Sequence, residues 1–117
     1  MSEAWEIEFY RSERGRAPVA EFIEGLPPKM QARVLRTVGL LEEHGAELGM
    51  PFARPVTGHR FWELRVGLGR DIVRIFYFAA SGRRMVLLHG FVKKTQRTPP
   101  QELAVAAERR EGYLRRQ

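Results

Sequence analysis

Between Phe61 and Val92 the chain reads as three sheet-forming stretches divided by two short turns. That pattern constrains the fold more than any other in the sequence. Phe61 to Val66 alternates, and Gly67-Leu68-Gly69 interrupts it. Asp71 to Phe78 follows, Ser81-Gly82 turns the chain again, and Arg84 to Val92 completes the set. Apolar runs of strand length joined by so few turn residues pair as hairpins, so the segment predicts an antiparallel meander.

The flanks supply helices and one more strand. Trp5 to Tyr10 alternates, with Trp5, Ile7 and Phe9 on one side and Glu6, Glu8 and Tyr10 on the other, as a half-buried strand does. Ala17 to Gly25 predicts a short helix with Val19, Phe22, Ile23 and Leu26 as its apolar face. Pro27-Pro28 ends it and opens a second helix to His44, where Met30, Val34, Val38 and Leu41 recur at helical spacing and Gly45 suits the C-cap. Ala46 to Arg60 reads as an irregular connection. Thr98-Pro99-Pro100-Gln101 matches a capping box, with Thr98 as the N-cap and Gln101 at the third helical position. The helix it opens carries Leu103, Ala106, Ala107, Arg110, Tyr113 and Leu114 along one side. The expected order is β-α-α-β-β-β-α: an α+β fold whose mainly antiparallel sheet packs against helices on one face.

A chain of 117 residues predicts one domain over its whole length, 1–117. It has no cysteine, which removes disulfides, thiolate metal sites and a cysteine nucleophile. His44, His59 and His89 show no metal-ligand spacing, so neither a metal nor a cofactor is expected. No apolar run reaches membrane-span length, and no signal peptide is visible, so the expected location is the cytoplasm.

The net charge of +6 is concentrated. Residues 58–97 hold nine cations against Glu63 and Asp71, a balance of +7, so the remainder is slightly acidic. A contiguous basic region predicts a polyanionic partner. Arginine outnumbers lysine there, and its planar fork matches phosphate geometry. The charge is densest where the third stretch hands over to the last helix, at Lys93, Lys94 and Arg97.

Alternation sorts the strand residues into faces. Trp62, Leu64, Val73, Ile75, Val86 and Leu88 are expected against the helices. Glu63, Arg65, Arg74, Phe76, His89, Phe91 and Lys93 are expected on an open face. Cations for phosphates and rings for unstacked bases are what single-stranded RNA binding needs. The competing expectation is a solvated face on which Glu63 pairs with Arg65 or Arg74. A bulge in any strand flips part of this assignment.

The stretches FWELRVGLGRDIVRIFYF and MVLLHGFVKKTQRTPPQELAVAAERREGYL, preceded by ELGMPFARPVTGHR, resemble the RelE/ParE superfamily of type II toxins. The likeness is strongest to its HigB-like, phage-derived branch. The resemblance implies a toxin sequestered by a helix-turn-helix antitoxin. It also implies a metal-free endoribonuclease acting on messenger RNA at the ribosome, and so inhibiting translation. Two alternatives are a ParE-like toxin that binds gyrase and a non-catalytic remnant that binds RNA or antitoxin.

Metal-free RNA cleavage needs a base for the 2′-hydroxyl, an acid for the leaving oxygen and cations for the developing charge. Arg65 and Arg74 are the expected phosphate ligands. Arg70, His89, Lys93, Lys94 and Arg97 are further candidates for binding RNA. Lys93 and Glu63 are the candidate bases, and His89 is a second proton carrier. Tyr77 is expected in the core. Related RNA-cleaving toxins often place a catalytic tyrosine or histidine near the C-terminus. Here a helix occupies that place, with Tyr113 at core spacing, so no general acid is assigned.

Overall fold

Strands Glu6–Phe9 (β1), Ala53–Pro55 (β2), Trp62–Leu68 (β3), Asp71–Ala80 (β4) and Arg84–Lys93 (β5) form one five-stranded sheet in the order β1-β5-β4-β3-β2. Helices Pro18–Glu24 (α1), Pro28–His44 (α2) and Pro100–Arg115 (α3) complete the fold. These elements come from a computed structural model that describes residues 4–94 and 97–117. Thr95 of the Lys-Lys-Thr motif lies outside the described residues.

The α+β class and the β3-β4-β5 meander are as the sequence predicts. The first link is tighter than expected, because β3 runs on through Leu68. Gly69 then turns the chain at φ +62°, the backbone region that a tight hairpin reserves for glycine. Arg70 follows it at the tip. β1 joins the far edge in parallel with β5. A parallel pair needs a long connection, and here everything from α1 to β4 lies between the two strands.

The connection expected to be irregular contains a 3₁₀ turn, Gly45–Glu47, and the edge strand β2, antiparallel to β3. β2 is only three residues long and ends on Pro55, which has no N–H to extend a ladder. That shortness hid it from pattern reading.

Alternation fails at one place. Down to Phe76↔His89 the β4–β5 ladder is regular, and the next pair is Tyr77↔Leu87, so Leu88 is an extra residue. This bulge lets Val86 and Leu88 share a face with His89 and Phe91 instead of opposing them. Val86 and Leu88 were expected with Leu64 and Ile75. They pack instead with Phe61, Phe76, Phe78, Phe91 and Ala106 of α3. Leu64, Val66, Val73, Ile75, Tyr77, Met85 and Leu87 line the other face, against α1 and α2. Helices therefore cover both faces, not one. Burying a side chain such as Phe76 contributes about 1.5–3 kcal/mol, and Phe76 has no exposed surface.

α2 buries Met30, Val34, Thr37, Val38 and Leu41, a stripe at helical spacing. The Thr37 hydroxyl is satisfied by the Arg33 carbonyl at 3.0 Å. α1 buries Val19 and Ile23 and lays Phe22 over Gly90 of β5. A Cβ at residue 90 would stand 2.6 Å from Phe22 Cδ2, so only glycine allows this approach. α3 begins one residue later than the capping box requires. Its N-cap is Pro99 and no side chain caps it. Pro100 in the first turn needs no partner for an absent N–H, which sets the start without Thr98.

Candidate functional site

The end of the sheet beyond α3 opens into a cavity of about 500 Å³, lined by Arg54, Arg65, Arg70, Ile72, Arg74, Lys93 and Lys94. Six of the seven are cations. Other pockets are larger, including an apolar one of about 850 Å³ between the α1–α2 junction and the β3–β4 turn. The smaller one is singled out by its chemistry, since dense positive charge in a concave site favours an anion.

The register explains how the charge is gathered. Arg65 and Arg74 are direct partners across β3 and β4, so both side chains rise on the same face. Arg74 pairs in turn with Phe91 on β5, and Ile72 with Lys93, which brings Lys93 to the same face. Arg70 stands at the hairpin tip and Arg54 on β2. Lys94 follows the last residue of β5 and lines both the cationic and the apolar pocket.

Glu63 holds the arrangement together. Its Oε1 accepts from Arg74 Nη1 at 2.5 Å and from Arg54 Nε at 2.9 Å. Glu63 is 3% exposed and Arg74 4%. The expected pairing with Arg74 is therefore real, but it is buried and leaves much of the guanidinium unused. The Nε of Arg74 and the Nε of Arg65 are buried and meet no hydrogen-bond partner among the described residues. A buried donor without an acceptor costs free energy. Two of them border one cationic cavity.

Burial pulls the Arg74 guanidinium below its ordinary value, Glu63 pulls it back up, and Arg65 and Arg54 lower it again. It stays charged, as arginine does in proteins. Lys93 is lowered for the same reasons: burial first, then the charge of Arg74, with Glu63 opposing and Arg54 and Arg65 adding to the shift. Neighbouring cations and lost hydration both favour the neutral amine.

Of the residues singled out in the sequence, Arg65, Arg70, Arg74, Lys93 and Lys94 line the cavity, and Glu63 lies behind it. His89 belongs to another environment. Its Nε2 is 2.8 Å from Glu102 Oε1 and its Nδ1 is 3.3 Å from Arg109 Nη1. A guanidinium only donates, so Nδ1 accepts and Nε2–H donates to Glu102. This ties β5 to the first turn of α3. Arg109 also donates to the Leu88 carbonyl at 2.9 Å. Arg97 is exposed in the chain leading to α3, outside the cavity lining. Phe76 and Phe91 are buried beneath α3, so their rings are not available to stack on bases, as the open-face reading had expected. Tyr77 is core, and burial pushes its hydroxyl up to about 12. The Tyr113 hydroxyl donates to Glu8 Oε1 at 3.1 Å, on the far side of the molecule from Arg65.

Arg54 is the residue that sequence reading missed. It stands in the stretch Ala46 to Arg60, which carries no period, and only its pairing with Glu63 across β2 and β3 gives it a place at the site. An arginine flanked by two small or rigid residues, Ala53 and Pro55, carries no period to read.

No curated protein matches the chain. The profile of a family described as phage-derived protein, Gp49-like (DUF891), matches residues 21–111, most of the chain and the whole cationic cavity. The chain therefore belongs to the Gp49-like family of phage-derived proteins, within the RelE/ParE-like toxin superfamily of toxin–antitoxin systems.

Proposed function

We propose that the protein is a toxin that cleaves messenger RNA without a metal, in a HigB-like manner, and thereby stops translation. Family membership implies an antitoxin partner; a helix-turn-helix protein is the class we propose. The observation that carries the reading is the Arg65–Arg74 pair, whose two buried Nε donors have no acceptor among the described residues, beside an open cationic cavity.

In the proposed reaction a phosphodiester lies across Arg65 and Arg74. Neutral Lys93 removes the proton of the adjacent 2′-hydroxyl, and the oxygen attacks phosphorus. The bond to the 5′-oxygen of the next nucleotide breaks, leaving a cyclic phosphate, and that oxygen takes a proton from water to become a free 5′-hydroxyl while Lys93 returns its proton to solvent. Negative charge grows on the phosphoryl oxygens, where fixed guanidinium groups stabilise it most. Glu63 does not line the cavity, and two arginines occupy it. It is a positioning residue that aims Arg74 rather than the base. Arg70 and Lys94 extend the phosphate-binding surface. The ribosome would hold the message in line, supplying the orientation that an open cavity lacks.

A specific observation also supports a second reading, RNA binding without cleavage. Among the described residues the lining apart from Ile72 is arginine and lysine, with no carboxyl, imidazole or phenol group to protonate the leaving oxygen.

Induction in cells followed by mapping of message 5′ ends separates the readings. The proposed toxin yields new ends within translated messages, and these disappear with Arg65→Ala. Intact messages with arrested growth point to binding alone. Intact messages with DNA damage would place the protein with the gyrase-binding toxins.

A further inference from the structure

A second, smaller pocket of about 190 Å³ opens between α3 and the chain entering β3, on the same sheet face as the cationic cavity. Arg60 and Arg110 line it with His59 and Glu111. Arg60 and His59 are exposed. The Arg110 guanidinium lies 5.0 Å from the Phe78 ring centroid, and its buried Nε has no hydrogen-bond partner among the described residues. The His59 ring rests on Phe61, 4.9 Å between centroids. Phe61 is buried, so the two rings offer one outward face, that of His59.

Arg60 and Arg65 are five residues apart along a nearly extended segment, roughly 17 Å at about 3.4 Å per residue. Arg54, on the neighbouring strand, pairs with Glu63 in the space between. Arg65, Arg54, Arg60 and Arg110 thus form a cationic strip along the β3 side of α3, and not an isolated spot. A stacked single strand advances about 3.4 Å per nucleotide, so the strip spans about five stacked nucleotides. Glu111 stands in the small pocket and disfavours a free anion there. It disfavours much less a phosphate already tethered to one held at Arg65.

We infer that this pocket is a second subsite for the same RNA strand, several nucleotides from the scissile phosphate. Arg60 and Arg110 hold a backbone phosphate and His59 stacks on a base. The inference rests on the proposed reading of the Arg65–Arg74 cavity as a phosphodiester site. It adds that the protein selects a strand long enough to reach both places. Stacking on an exposed ring beside a cationic groove is the usual means of holding single strands without reading sequence.

The test is equilibrium binding of two fluorescent probes to the full chain, a uridine dinucleotide and a ten-residue oligouridylate. Arg60→Ala/Arg110→Gln is expected to weaken decamer binding on the order of tenfold. Its logarithmic salt slope should flatten by about 0.7 for each phosphate no longer neutralised. The dinucleotide, which reaches only one subsite, is expected to bind unchanged. Arg60→Glu alone, at an exposed position with no packing to lose, is expected to shift the decamer in the same direction. His59→Ala weakens the decamer and His59→Phe retains it. Arg65→Ala weakens both probes. If the Arg60 and Arg110 variants bind the decamer as the unmodified chain does while Arg65→Ala loses it, the second subsite is overturned and the cavity reading stands. If Arg65→Ala changes neither probe, the cavity reading fails and the second subsite, which is defined relative to it, falls with it. Failure of the unmodified chain to bind either probe overturns both.

Discussion

Arg65 and Arg74 face each other as direct partners in the β3–β4 register, two like charges where a sheet ordinarily places opposite ones. Glu63 offsets part of the repulsion by bonding Arg74. The rest is a standing tension that a bound phosphate would relieve. Arg65→Ala should therefore leave stability within about 0.5 kcal/mol of the unmodified chain, as changes outside the packed core do. Under the proposed reaction it should lower message cleavage about 10²-fold, the scale of losing one preorganised donor. Arg65→Lys should restore little, because an ammonium lacks the fork. Denaturant unfolding and cleavage of ribosome-bound messages read the two effects separately. A large loss of stability with unchanged cleavage would invert the assignment.

Glu63→Gln keeps the shape and removes the charge that two arginines share. Breaking a buried pair from one side costs about 3–5 kcal/mol, since the partner stays buried and uncompensated. The urea midpoint of Glu63→Gln should fall accordingly, far more than that of Arg65→Ala. An unchanged midpoint would mean that the Arg74 charge is already balanced by something else.

Lys93 gives a pH dependence with a definite sign. Burial and the Arg74 charge both lower it from 10.5, so the neutral amine appears at lower pH than in a free lysine. The amine is the base form, so single-turnover cleavage should rise as pH increases through the lowered value. Lys93→Ala should remove that rise. Stability follows the same shift, because the folded chain holds the proton less tightly than the unfolded one. The penalty applies below the folded value and fades as pH climbs towards the ordinary one. A rate profile unaltered by Lys93→Ala would leave the base elsewhere.

His89 is expected to matter for folding and not for RNA. His89→Ala takes a partner from Glu102 and leaves Arg109 with the Leu88 carbonyl. The expected cost is about 1–3 kcal/mol, with oligonucleotide binding unchanged. Calorimetry and a binding titration on the same sample check this. Loss of binding with the melting temperature intact would return His89 to the site.

Gly90→Ala tests the packing of α1. The added methyl meets Phe22 at 2.6 Å in a close-packed interior. Overpacking of this kind costs about 1–3 kcal/mol. A thermal scan of the variant measures it, and an unchanged melting temperature would show that Phe22 moves freely.

The meander, the long helix from Pro28 to His44 and the shared face of Glu63, Arg65 and Arg74 were legible because their signals repeat. Periods of two and 3.6 persist over enough residues to be read. What escaped reading was single and local. One extra residue at Leu88 moved Val86 and Leu88 to the opposite face, and no pattern announces a bulge. The same shift supplied a floor for α3, so a face expected to be open is half covered. β2 escaped because three residues hold no period, and Arg54 escaped with it. The cations were legible as a cluster, but which of them share a cavity depends on a register that only the paired strands define. Phe76 and Phe91 show the limit from the other side: the right face was assigned, but not the helix that covers it.

Two prolines have the last effect on the site. α3 runs along β5 from Tyr113 beside Phe78 to Glu102 beside His89, heading for Lys93, and stops at Pro100. It cannot wind back further, because proline disfavours helical backbone in the residue before it and lacks the N–H that another turn would use. The roof over the sheet thus has a fixed eave. Mutations downstream can loosen or tighten the helix, yet where its covering of the sheet begins is set by Pro99 and Pro100.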